Sequence, residues 1–148
     1  MTANPNKQVI VDAVKSPGAF SFLSSSSSCF TPIASSMIVS GHLVFLAGAI
    51  GTDKDGKFVE GDIKARTKQA FANIEERLSV IGLSLDDIVS TTIFLSRYDT
   101  DFTEMNKAYA ELFPESNPVP KPCRTCVGVA ALPAGTNIEI QCVAAKRS

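Results

Sequence analysis

One histidine and four cysteines are the whole supply of imidazole and thiol ligands in this 148-residue chain. Only Cys123 and Cys126 stand close together. A structural zinc site needs four ligands, commonly as two paired sets, so Cys29, Cys123, Cys126, Cys142 and His42 are not expected to hold a metal. A redox CxxC opens a helix, whose N-terminus lowers the thiol pKa; here the apolar, β-branched run VGVAAL follows Cys126, and no helix pattern begins. His42, beside Gly41 at a strand start, reads as structural or exposed. No run of lysines and arginines is long enough to track a phosphate backbone, and the net charge is -1, so no nucleic-acid partner is expected. No stretch reaches the roughly 18 uninterrupted apolar residues of a membrane helix. The start, MTANPNKQVIVDAV, has no apolar core of a signal peptide, and no arginine precedes Arg66, which speaks against a mitochondrial transit peptide. These absences leave a cytoplasmic protein with reduced thiols as the expectation, with a mitochondrial location as the alternative.

What is present is the composition of a folded domain: 45% hydrophobic and 20% charged residues. The length suits a single domain, 1–148, burying roughly two-thirds of its unfolded surface. KQVIVDAV at 7–14 has strand composition, and the chain then runs into a serine-rich loop at about 15–36, with five consecutive serines at 24–28. MIVS at 37–40 and HLVFLAGAI at 42–50 read as strands joined at Gly41, and DKDG at 53–56 as a tight turn. DIKARTKQAFANIEERLSVIG is a helix capped by Asp62, with Ile63, Thr67, Ala70, Phe71, Ile74, Leu78 and Ile81 on one face and Gly82 as its stop. DIVSTTIFLSR at 87–97 is a strand. The next helix is expected to open at Asp101, with Glu104 completing a capping box, and to end at Pro114. Asn106 interrupts its apolar stripe between Phe102 and Tyr109, so the amide needs a partner or a site. RTCVGVAAL and NIEIQCVAA are the closing strands. The order β-β-β-α-β-α-β-β predicts an α+β fold with two helices on one face of a mostly antiparallel sheet.

Alternation puts Arg124, Cys126, Gly128 and Ala130 on one side of the first closing strand and Thr125, Val127, Val129 and Ala131 on the other. In the second, Ile138, Ile140 and Cys142 oppose Asn137, Glu139 and Gln141. Paired as a hairpin with both apolar sides under the helices, these strands bring Arg124, Cys126, Glu139 and Gln141 together on the far face. That surface reads as a solvated face with an ion pair worth less than about 1 kcal/mol. It reads equally as an oligomer interface where a guanidinium fork takes a small carboxylate and the glutamate handles water or a proton. Spacing alone does not choose.

CRTCVGVAALPAGTNIEIQCVAA resembles the C-terminal signature of the Rid (reactive intermediate deaminase, or YjgF) family. GHLVFLAG at 41–48, DIVSTTIFLSR at 87–97 and DFTEMNKAYAELF at 101–113 match in order and spacing, so the resemblance covers roughly residues 37–145. It implies a chorismate-mutase-like fold and a homotrimer with sites between subunits. The implied activity is cofactor-free hydrolysis of 2-imino or 2-enamino acids, such as 2-iminobutanoate or 2-iminopropanoate, to 2-keto acids and ammonia. In that reading Arg124 holds the substrate carboxylate, Glu139 orients or deprotonates water, Cys126 lines the pocket, the Gly48 backbone meets the imine nitrogen, and Asn106 matches the family's helix asparagine. The family's substrate-reaching tyrosine is missing, with Ile33 and Ala34 in that segment, and its glutamine after the glycine is Ala49. Ala34 and Ala49 therefore mark the pocket wall where the substrate would differ. The departures also admit a pathway-specific relative acting on a larger carboxylated intermediate, or a non-enzymatic trimeric small-acid-binding protein.

Overall fold

A computed structural model describes residues 7–10 and 36–147 of the chain. Its elements are β1 (Lys7–Ile10), β2 (Met37–Ser40), β3 (Leu43–Ala49), α1 (Ile63–Ser79), β4 (Ile88–Leu95), α2 (Tyr98–Leu112), β5 (Cys123–Gly128) and β6 (Ile138–Ala145), in the expected order. The serine-rich segment lies outside the described residues, as does Ala34. One six-stranded sheet runs β1-β2-β3-β6-β4-β5. It is antiparallel except for β4 and β5, which pair in parallel. The architecture is the α+β arrangement read from the sequence.

The expected closing hairpin does not form. The connection from β4 to β5 passes through α2, a crossover long enough to return the chain in the same direction, and it lays β5 along the outer edge of β4. The connection from β3 to β4 through α1 leaves a gap between those two strands, and β6 fills it, antiparallel to both. The pattern of β6 suits this central place: Ile138, Ile140 and Ala144 are fully buried and Cys142 nearly so.

α1 begins as the sequence indicates, with the Asp62 carboxylate accepting from the Ala65 amide. Gly82, at φ +75, follows its last turn. Phe71, Ile74 and Leu78 from α1 pack with Val44, Leu46, Ile93, Leu95, Met105, Ile138 and Ile140 into one core between helices and sheet. α2 starts a turn earlier than its capping-box spacing indicates, at Tyr98. Asp101 is therefore not a cap; it is buried inside the first turn, where Asn137 donates to its carboxylate at 3.0 Å and Arg97 lies 3.3 Å away. That partnership follows from where β6 enters the sheet, which no local pattern encodes. No helix among the described residues is long and apolar enough to cross a membrane.

Candidate active site

The register decides where the candidate side chains point. Arg124 pairs with Thr91 and Cys126 with Ile93, both buried on the helix side of the sheet. Arg124 and Cys126 thus face α2, and Thr125 and Val127 take the far face, the reverse of the expected orientation. Gly128 explains part of the reversal: a Cβ there would lie 3.0 Å from Cβ of Tyr98, so the strand end tucks closely under the start of α2.

Arg124 is held from two sides. It donates a short hydrogen bond to Asn106 Oδ1 on α2, and its guanidinium carbon stands 4.9 Å from the centre of the Tyr109 ring. Tyr109 is itself braced by Phe71 and Phe113, with ring centres 5.8 and 4.7 Å away, and its hydroxyl lies 3.5 Å from Thr91 Oγ1. The amide that breaks the α2 stripe therefore has a reason: it orients an arginine whose fork remains exposed to solvent. Tyr109 as the platform beneath Arg124 is not legible in the sequence, because an aromatic on an apolar stripe reads as core. Cys126 sits half-buried beside this group; burial pushes its thiol pKa up while Arg124 opposes the shift, so it is a neutral thiol at physiological pH. Cys123 and Cys126, three residues apart on one strand, project from opposite faces and do not converge on one ligand. Among the described residues no group of three or more His, Cys, Asp or Glu side chains gathers as a metal site.

Glu139 lies on the other face. It pairs with Phe94, which pairs with Val127, so these three share a row across β6, β4 and β5. The carboxylate reaches across β3: a Cβ placed on Gly48 would lie 2.0 Å from Glu139 Oε1 and 2.8 Å from its Cδ. Only glycine leaves room for this approach. Burial pushes the Glu139 pKa above the ordinary carboxylate value, with no other cause acting on it. We expect Gly48→Ala to leave the fold intact, because the displaced atoms end a flexible side chain, and to swing the carboxylate toward water. Its titration midpoint, followed by carbon NMR of the carboxyl group, should fall toward the ordinary value; an unchanged midpoint would show that Gly48 does not set it.

Ala49 takes the opposite role to the one expected. It pairs with Ile140, is 1% exposed and belongs to the core cluster, so its side chain does not line a pocket. A bulge turns the chain between Leu46 and Ala49, and alternation across it places the alanine inward. Arg124 with Asn106 and Cys126 makes one half-site, and Glu139 with Gly48 makes another. Two strand spacings and three residues separate the two halves along the sheet, roughly 14 Å, and the sheet itself lies between them. One copy of the chain does not bring guanidinium and carboxylate to a common small substrate.

The same chain matches the family model described as endoribonuclease L-PSP over residues 31–146. It is 42% identical over 113 residues to a RutC family protein of Pyrococcus horikoshii, covering 76% of this chain and 86% of that one. It is 36% identical over 107 residues to a protein of Salmonella typhimurium named 2-iminobutanoate/2-iminopropanoate deaminase, covering 72% and 82%. Among solved structures, E. coli TdcF with bound serine superposes with a TM-score of 0.76 at 25% identity, covering 95% of this chain and all of that one.

Proposed function

The chain belongs to the Rid/YjgF family, and from that premise we propose that it is a cytoplasmic hydrolase of small 2-imino acids, working as a homotrimer. The observation that supports the reading is the split site: an oriented arginine fork on one face and a carboxylate of raised pKa on the other, two halves that a second copy would bring together. The far face is suited to receive that copy. Leu43, Phe45 and Val127 are exposed on it, beside half-buried Phe94 and Val143. The serine bound to TdcF supports a ligand with a carboxylate on a short carbon frame.

In this reading Arg124 of one protomer binds the substrate carboxylate bidentately, with Asn106 and Tyr109 holding the fork in plane. Glu139 of the neighbouring protomer takes a proton from water as its oxygen bonds to the imine carbon and the C=N π electrons move to nitrogen. The proton then passes to nitrogen to give the carbinolamine. Glu139 takes the hydroxyl proton and returns it to nitrogen as the oxygen electrons form the C=O bond and the C–N bond breaks, and ammonia and the 2-keto acid leave. A carboxyl group with a raised pKa is the better base for this step, and the backbone at Gly48 stands beside it. Cys126 shapes the wall without forming a bond. The family model's description as an endoribonuclease finds little support in this chain, with its net charge of -1 and no basic run.

The test is keto-acid formation from freshly generated 2-iminobutanoate, with light scattering on the same preparation. Acceleration is expected from a species of about three times the 15.7 kDa protomer mass. A monomer would remove the shared site on which the reading stands. An inert trimer would move the reading to a larger carboxylated substrate or to a binding role.

A further inference from the structure

Arg77 occupies a place on α1 where its neighbours demand an apolar residue. Ile74 and Leu78 beside it are fully buried, and Arg77 itself is only 6% exposed. Its Nη1 donates to the Ala47 carbonyl at 3.0 Å, thirty residues away on β3. Ala47 belongs to an irregular step in that strand. Leu46 pairs with Cys142 and Ala49 with Ile140, so Ala47 and Gly48 together face the single residue Gln141. The Ala47 amide donates to the Ser36 carbonyl at 3.0 Å, just before β2, and its own carbonyl is the group that Arg77 takes from inside the core. The next residue is Gly48, whose Cα carries the Glu139 carboxylate against it. Cys142 also lies within the field of Arg77; burial nevertheless pushes its thiol up to about 12, so it stays uncharged and does not compete for the guanidinium.

We propose that Arg77 is a positioning residue for the reaction: by holding the Ala47 carbonyl it fixes the β3 bulge, and the bulge fixes the Gly48 backbone against Glu139. This deepens the deaminase reading and rests on it. The chemistry suits arginine. A bulge turns a backbone carbonyl out of regular pairing, and a long, planar, permanently charged donor from the last turn of α1 can reach it where a hydrophobic residue cannot. A purely structural role would move stability alone. A positioning role moves turnover and the local protection of Gly48.

The experiment compares Arg77→Met and Arg77→Leu with Arg77→Lys, reading kcat and KM on 2-iminobutanoate, trimer mass, and amide exchange at Gly48 and Ala49. In the apolar variants kcat per folded protomer is expected to fall about tenfold with KM within about twofold, the loss a small misplacement of a reacting group produces. Gly48 exchange should speed up, and lysine should recover most of both. Unchanged kcat in a folded apolar variant, or unchanged Gly48 exchange, overturns the proposal. If neither apolar variant folds, Arg77→Gln, too short to reach the Ala47 carbonyl, decides: unchanged turnover and unchanged Gly48 exchange in a folded trimer overturn it. If the wild type itself does not turn over 2-iminobutanoate, the deaminase reading fails, and the exchange readout alone judges Arg77.

Discussion

Arg124→Ala is expected to lower kcat/KM for 2-iminobutanoate by roughly 10²–10³-fold, the worth of a charge-assisted, bidentate grip on a carboxylate in a desolvated site. The arginine is positioned before any ligand arrives, by Asn106 at one edge and the Tyr109 ring on one face, so little ordering remains for the substrate to induce. Arg124→Lys should recover only a small part of the activity, since an ammonium offers no planar fork. Asn106→Ala should show a smaller decline than Arg124→Ala, because it frees the fork without removing it. Steady-state kinetics on verified trimers checks all three. Near-equal rates for wild type and Arg124→Ala would remove the carboxylate clamp from the mechanism.

Glu139→Gln should reduce kcat by about 10²–10⁴-fold while leaving KM nearly unchanged, the pattern of a missing proton acceptor in a site that still binds. Its stability effect should have the opposite sign. The folded pKa of Glu139 stands above the unfolded value because burial disfavours the charge. Between those two values the folded protein binds more protons than the unfolded chain, so stability falls as pH rises, and above the folded pKa the full cost of the buried charge is present. Glutamine removes that cost. Thermal melts at neutral pH should therefore favour the inactive variant, and the advantage should vanish well below the ordinary glutamate value of about 4.3. A Glu139→Gln protein that melts lower at neutral pH and keeps its turnover would mark Glu139 as structural. The wild-type rate should fall on the acid side as the carboxyl group takes up its proton, with a midpoint above the ordinary carboxylate range.

The two half-sites show how much a chain discloses before it folds. Arg124, Cys126 and Glu139 are legible from alternation along their strands and Asn106 from its place inside the apolar stripe of α2, whereas Gly48 is singled out only by the family resemblance. Their grouping is not legible. Nearness in sequence suggests that β5 and β6 pair, and that pairing would put Arg124 and Glu139 on one surface. Arg77 escapes a sequence reading for a related reason: a charged residue amid helical periodicity reads as solvent-facing, and only the bulge in β3 gives it something to reach. Ala49 reads as pocket wall until the same bulge decides which way it points.

By itself the sequence determined the helix α1, its cap and stop, the strand segments, and the absence of runs that would bind a nucleic-acid backbone. Each of these depends on periodicity or turn chemistry within about 20 residues, where the energetic preferences are local. Only the tertiary structure decided the parallel β4–β5 pair, the insertion of β6 between β3 and β4, and the burial of Arg77 and Asp101. Those choices join segments 30 or more residues apart, and they are settled by which arrangement covers the core and satisfies backbone groups at the same time. The opposite placement of Arg124 and Glu139 follows from them: with β6 set inside the sheet and β5 on its edge, the arginine lies under α2 and the glutamate on the open face, with the sheet between them.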